Sequence, residues 1–221
     1  MKKIGILVLI GMVCLSLTGC KKENKTKEKW NIDMPKEEYS LEPDLVAIWN
    51  RAMKDHPEKK LKPIALLGKQ VVAGMNYMFL CMDEDSYKVV VIYNNLEDQS
   101  SLTSVKDFDV TEYVNENKES KTDEITGGWT TEIPDTLNAL DESIQDIWDR
   151  ATEKMVGVAY TPIVRLAHLD KSGTNYAILC YGKLSTANEF TGIYLVTLYE
   201  DSKGTAEMVS TSYVDLADYN K

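Results

Sequence analysis

A chain that repeats itself is restricted to a fold that does the same. Sliding this sequence by 99 residues superimposes Trp30 on Trp129, Pro35 on Pro134 and Leu41 on Leu140. The same offset pairs Ile48-Trp49 with Ile147-Trp148, Arg51-Ala52 with Arg150-Ala151, and Pro63-Ile64 with Pro162-Ile163. It continues through Leu67 and Leu166, Gly74 and Gly173, Asn76-Tyr77 and Asn175-Tyr176, and Leu80-Cys81 and Leu179-Cys180. That makes fifteen identities over 52 gapless positions, where unrelated segments of average composition share about three. Past the cysteines the offset becomes 106, and Val90, Tyr93, Ser104, Asp109 and Tyr113 meet Val196, Tyr199, Ser210, Asp215 and Tyr219. The second copy therefore carries seven extra residues within 182–192. A supersecondary unit occurring twice implies two modules, 30–114 and 129–221, joined by a polar linker at 115–128.

Each copy reads alike. A short segment beginning at Trp30 leads to Ser40, which offers an N-cap, and Leu41, Leu45, Ile48, Trp49 and Ala52 then recur at helical spacing. The second copy repeats this with Leu137, Leu140, Ile144, Trp148 and Ala151. The helix tryptophans read as core anchors. Strand-like runs follow at 62–68, 75–82, 87–94 and 105–113, rich in Val, Ile and Tyr and separated by polar turns. The order of strand, helix and four-stranded meander predicts an α+β module, an antiparallel sheet wrapped around one helix.

The first thirty residues carry a different message. Lys2 and Lys3 precede a nearly unbroken apolar run, Ile4 to Leu17, closed by Leu17-Thr18-Gly19-Cys20. This is the layout of a secretory signal, and the run is shorter than the roughly 20 residues that span a bilayer. The closing tetrapeptide resembles the lipobox of bacterial lipoproteins. The resemblance implies cleavage of residues 1–19, a diacylglyceryl group on Cys20, and attachment to a cell or outer membrane on its extracytoplasmic side. Residues 20–29 form a lysine-rich polar tether with nothing to pack. Loss of Lys2 and Lys3 would leave 23 basic against 35 acidic residues, a net charge of −12. That balance argues against nucleic acid as a partner, since phosphate binding needs clustered Lys and Arg.

Between the second and third strands of copy one, the first two of the meander, lies Gln70-Val71-Val72-Ala73-Gly74, followed by Met75-Asn76-Tyr77. Here the chain resembles the cystatins, inhibitors of cysteine proteases, whose first hairpin carries Gln-x-Val-x-Gly, commonly continued by x-Asn-Tyr. The resemblance covers nearly the whole mature chain and implies two tandem cystatin-like modules. It also implies reversible, non-covalent plugging of a papain-like active-site cleft by Gln70, Val71, Val72, Ala73 and Gly74. The segment suits a plug: it is uncharged, so covering it carries no charge-desolvation cost, and its valines offer apolar area. Copy two departs from the pattern. Gly127-Gly128-Trp129 resembles the N-terminal contact segment of the family, but the hairpin is Leu169-Asp170-Lys171-Ser172-Gly173, without Gln or Val and with two charges. The alternative is a non-inhibitory binding or assembly module of the cell envelope that uses the same fold.

Nothing in the sequence points to catalysis or a cofactor. Cys14 leaves with the signal, which leaves Cys81 and Cys180 at the same strand position of the two copies; they read as separate buried thiols rather than a disulfide. His56 and His168 belong to no metal-ligand or nucleophile spacing. The expectation is a non-enzyme.

Overall fold

The computed structural model describes residues 29–37, 40–114, 128–133, 140–184 and 190–220. Cys20, Gly127 and most of the tether and linker lie outside them. The chain is a mixed α+β protein with two antiparallel sheets. In repeat 1, helix α1 (Pro43–Met53) precedes β1 (Lys62–Val72), β2 (Gly74–Met82), β3 (Tyr87–Asn94) and β4 (Ser100–Asp107), and a short helix, α2 (Thr111–Val114), follows. In repeat 2, β5 (Thr130–Thr131) precedes α3 (Glu142–Thr152), β6 (Val158–Asp170), β7 (Thr174–Leu184), β8 (Phe190–Glu200) and β9 (Ala206–Val214), and a 3-10 turn, Leu216–Tyr219, follows. Strand order is sequential in both sheets.

The repeat extends to irregularities. The β1–β2 pairing shifts register between Pro63 and Ala65 and between Leu66 and Gly68; β6–β7 shifts between Pro162 and Val164 and between Arg165 and Ala167. These are the same positions at an offset of 99. Bulges re-aim side chains and free backbone groups, so a doubly repeated bulge marks a bend both sheets require.

Two sequence expectations are corrected. Ser40 does not cap α1: the N-cap is Glu42, without a side-chain hydrogen bond, and Pro43 opens the helix, where its missing N–H costs nothing. Copy two does have a side-chain cap, Asp141, which accepts from Ile144 N at 3.0 Å. The fourth strand runs over 100–107 rather than 105–113, because Asp109 accepts from Thr111 N and turns the chain into α2.

The sequence leaves open what covers the second face of each sheet. Leu45, Ile48, Trp49 and Ala52 pack on Phe79, Cys81, Val90 and Ile92, and Ile144, Ile147 and Trp148 pack on Ile178, Cys180, Val196 and Leu198. Each helix thus covers one face of its sheet, as expected. The opposite faces cover each other: Leu67, Met78, Leu80 and Val89 share a core with Leu166, Ala177, Leu179 and Leu195. The order of layers is helix, sheet, sheet, helix. Cys81 and Cys180 are free and face the two helices, on the sheet faces turned away from each other.

Equivalent residues meet across the middle, the mark of an approximate two-fold axis between the repeats. The Tyr113 and Tyr219 hydroxyls are 3.0 Å apart. Tyr181 OH donates to Leu66 O at 2.7 Å, and Tyr87 OH contacts Arg165 O at 3.2 Å and also donates to Glu132 O. Leu216, beyond the end of β9, lies beside Gly68, and Asn220 accepts from Trp30 Nε1 at 2.8 Å. The end of the repeat 2 sheet (sheet B) beyond β9 therefore lies against the turn-side half of β1 in the repeat 1 sheet (sheet A), which sets the turn edges of the two repeats toward opposite ends of the molecule.

Candidate functional site: the turn edge of repeat 1

Three segments of repeat 1 come together at one edge of sheet A. The β1–β2 turn is tight: Val72 pairs with Gly74 and only Ala73 lies between the strands. The β3–β4 turn (95–99) lies beside it, because Met75 pairs with Asn94. The N-terminal segment joins through a bridge between Asn31 and Lys69, N–H to O at 2.7 and 2.8 Å. The sequence motif therefore occupies a built edge.

Its residues differ in what they do. Val71 is 58% exposed and Ala73 is exposed, so both are presented. Val72 is half-buried. The Gln70 side-chain carbonyl accepts from Asn76 Nδ2 at 2.9 Å across the register pair Gln70–Asn76. Gly74 has φ +132°, and a Cβ there would lie 2.5 Å from Asn94 O and 2.8 Å from the Tyr93 ring. Tyr93 lies over the turn and donates its hydroxyl to Ala73 O. Only glycine fits.

The same device occurs in repeat 2. Gly173 has φ +135°, a Cβ there would lie 2.6 Å from the Tyr199 ring, and Tyr199 OH donates to Ser172 O at 2.7 Å. Glycine and tyrosine are retained where glutamine and valine are not. They belong to the construction of the turn, and the variable residues around them decide what it presents.

The second turn is held as firmly. Asn95 Oδ1 accepts from Glu97 N and Gln99 N at 3.0 and 2.8 Å, while Arg51 of α1 reaches Asp98 at 2.6 Å and Ser100 Oγ at 3.3 Å. In repeat 2, Asp201 takes the place of Asn95, with Lys203 N and Thr205 N each at 2.8 Å; these N–H groups, Thr205's first, hold its carboxyl below the usual carboxylate range. Arg150 reaches Gly204 O and Glu200. Asp98 and Gly204 both have positive φ, 61° and 80°. On the rigid turn of repeat 1 sits Leu96, 88% exposed. Sequence reasoning overlooked Leu96; the available signal was an apolar side chain inside a polar turn.

The edge of repeat 2 is different in chemistry. Asp170 stands where repeat 1 has Val71, and Ser202 where it has Leu96. Gly128, at φ +103°, lies close to Leu169, and Trp129 packs on the shared core. Trp129 Nε1 is buried without a hydrogen-bond partner among the described residues, whereas its counterpart Trp30 has Asn220. The position equivalent to Asn220 is Val114. His168 Nδ1 is in hydrogen-bond contact with Glu132 where Lys69 ion-pairs with Asp33 at 3.3 Å, so this histidine fills a structural place that a lysine fills in the other copy. Burial pushes both the Cys81 and the Cys180 thiols well up, which disfavours the nucleophilic thiolate. No group of three or more His, Cys, Asp or Glu able to hold a metal occurs among the described residues.

Comparison with protein-family models and with curated proteins finds no match to this chain.

Proposed function

We propose that this chain is an exported lipoprotein, anchored through Cys20, whose first repeat is a cystatin-like wedge that reversibly blocks papain-like cysteine proteases and does no chemistry of its own. One observation carries the reading. Val71 and Leu96, two exposed large apolar side chains, project from adjacent rigid turns of one edge, and repeat 2 has polar residues at both positions. Exposed apolar groups on a preorganised backbone lose little entropy on insertion and gain burial, the combination that favours a tight, reversible plug. The uncharged tip, Gln70 to Met75, adds no desolvation penalty. Repeat 2, with Asp170 and Lys171 in the corresponding turn, serves as its structural partner.

The test uses the soluble mature chain beginning at Lys21, titrated against papain beside the double variant Val71→Asp/Leu96→Asp. Inhibition by the parent at micromolar concentration and its loss in the variant are expected. A parent that leaves papain fully active overturns the protease reading. A second reading, a non-inhibitory binding or assembly module of the cell envelope, draws on Gly74 and Tyr93. Their recurrence as Gly173 and Tyr199 accounts for the motif glycine without any protease. Under that reading papain is untouched, and a partner captured from envelope extracts is lost in the same double variant.

A further inference from the structure

The face of sheet B that carries α3 continues past the helix as a row of aromatic rings. The row comprises Tyr160 on β6, Tyr194 on β8, Tyr213 on β9 and Phe190 at the start of β8, with ring centroids 5.4, 5.5 and 6.1 Å apart in succession from Tyr160 to Tyr194, Tyr213 and Phe190. Tyr194 forms the floor. A Cβ at Gly182 would lie 2.5 Å from its ring and a Cβ at Gly192 2.8 Å, so the ring rests directly on the backbone of two strands. Tyr160 and Tyr213 flank it from the strands on either side, at 76° and 70° to its plane. The result is a trough with an aromatic floor and two aromatic walls. Tyr213 is 43% exposed. An open groove of about 350 Å³, lined by Trp148, Met155 and Tyr160 among others, continues from one wall.

The fold does not require these rings, and repeat 1 is the control. It holds Lys88 and Asp107 where repeat 2 has Tyr194 and Tyr213, in the same register, and there they form an ion pair. It holds Leu61 in place of Tyr160. Its hairpin closes at once through Asp83 N to Ser86 O, 2.8 Å, whereas β7 and β8 run on through Gly182–Gly192 to Leu184–Phe190. The seven extra residues of repeat 2 lengthen this hairpin beside the row and supply Phe190 at its end. One end of the row shows what it attracts: the Lys29 ammonium lies 5.0 Å from the centroid of Phe190. Ring faces are the negative pole of the aromatic quadrupole, and walls set at right angles around a floor are the arrangement that surrounds an organic cation.

We propose that Tyr160, Tyr194 and Tyr213 form an aromatic cage for the trimethylammonium group of a small soluble ligand of the choline type, independent of the turn edge of repeat 1. Such a cation fits because its charge is spread over methyl groups, so it loses little hydration on entering a trough walled by aromatic rings. The mature chain from Lys21 would be titrated with choline and, in parallel, with 3,3-dimethylbutanol, the neutral analogue in which carbon replaces the ammonium nitrogen. Binding would be followed by tyrosine fluorescence and by broadening of the ligand methyl resonance. Choline is expected to bind saturably, and the neutral analogue at least about tenfold more weakly, since the quadrupole acts on charge. Two variants borrow residues that repeat 1 already tolerates, Tyr194→Lys/Tyr213→Asp and Tyr160→Leu. Both should retain the parental circular dichroism; the first should abolish binding and the second weaken it at least about tenfold. Absence of saturable choline binding at millimolar concentration overturns the proposal. So does equal binding of the neutral analogue, binding that survives the double variant, or binding of N-acetylglucosamine oligomers in place of choline.

Discussion

At the scale of single residues, glycine 74 has a meaning the motif alone did not give it. Its φ of +132° and the 2.5 Å approach of Asn94 O to any Cβ leave no room for an L side chain without opening the hairpin. Strain of this kind costs on the order of 1–3 kcal/mol for the backbone alone, before the Tyr93 ring is displaced. Gly74→Ala is therefore expected to destabilise the chain by about 2 kcal/mol or more, and Gly173→Ala by a similar amount, since Gly173 meets Tyr199 and Glu200 O in the same way. Urea denaturation monitored by tryptophan fluorescence measures both. A Gly74 variant as stable as the parent would show that the Tyr93–Ala73 contact is not what holds the turn. The consequence for function is practical: a bulky residue at 74 unmakes the edge, whereas Val71 and Leu96, both exposed, can be changed without that side effect.

At the scale of elements, much of the fold could be read from the sequence. The helices were legible because their apolar positions recur at helical spacing, and Trp49 and Trp148 are buried at 5% and 6% exposure. The β4–α2 boundary was not, because Phe108, Val110, Tyr113 and Val114 are apolar and buried and so look like strand, while Asp109 decides the turn by a local side-chain hydrogen bond. What covers the second face of each sheet was left open, although a signal for it was present. Met78 to Met82 and Val89 to Ile92 are continuous apolar runs, buried throughout, which is how strands covered on both faces appear in sequence. A sheet wrapped around one helix needs only alternation, and the extra apolar positions were the signal that something covers the other side. At the candidate edge, glycine, glutamine and valine were legible as a motif; Tyr93, Arg51 and Leu96 were not, since each acts through a neighbour brought up by the fold.

The bulges show how the two elements that meet there are joined. Leu66 O and Arg165 O lie at equivalent bulges, and each receives a tyrosine hydroxyl from the other repeat, Tyr181 and Tyr87 respectively. Burial, first, and the nearby Glu132 raise the Tyr87 hydroxyl far above its ordinary value, and burial alone does so for Tyr181. Unfolded tyrosine ionises near pH 10. These two are held protonated in the folded chain, so their contribution is complete below about pH 10 and declines as pH rises beyond it toward their folded values. Thermal unfolding is expected to be insensitive to pH from 7 to 9 on their account and to fall steeply by pH 11. Tyr181→Phe should flatten that fall while lowering stability at pH 8 by about 1 kcal/mol, the usual net value of one hydrogen bond. A wild-type melting temperature unchanged at pH 11 would refute the buried-phenol account.

At the scale of the whole molecule, the repeats are two units in sequence and one in energetics. Leu67, Met78, Leu80, Tyr87 and Val89 of repeat 1 face Leu166, Ala177, Leu179, Tyr181 and Leu195 of repeat 2. None of these side chains is more than 4% exposed. Separating the sheets would bare at least five large apolar side chains on repeat 1, each worth roughly 1.5–3 kcal/mol of burial. The sum, on the order of 10 kcal/mol, matches the whole net stability of a typical domain. The bare face would also exceed the apolar patch a soluble monomer ordinarily carries. A fragment of residues 30–114 made alone should therefore not behave as a folded monomer: weak near-ultraviolet dichroism, dye binding and concentration-dependent association are expected. Mixing it with residues 128–221 should restore cooperative unfolding, because the interface is the missing half of its core. A 30–114 fragment that unfolds cooperatively as a monomer would show that helix and sheet suffice. The shared core would then be an ordinary domain contact, and the opposed direction of the two turn edges would be free to change. If the fragments require each other, that opposition is fixed, and the edge of repeat 1 and the edge of repeat 2 can never engage the same partner side by side.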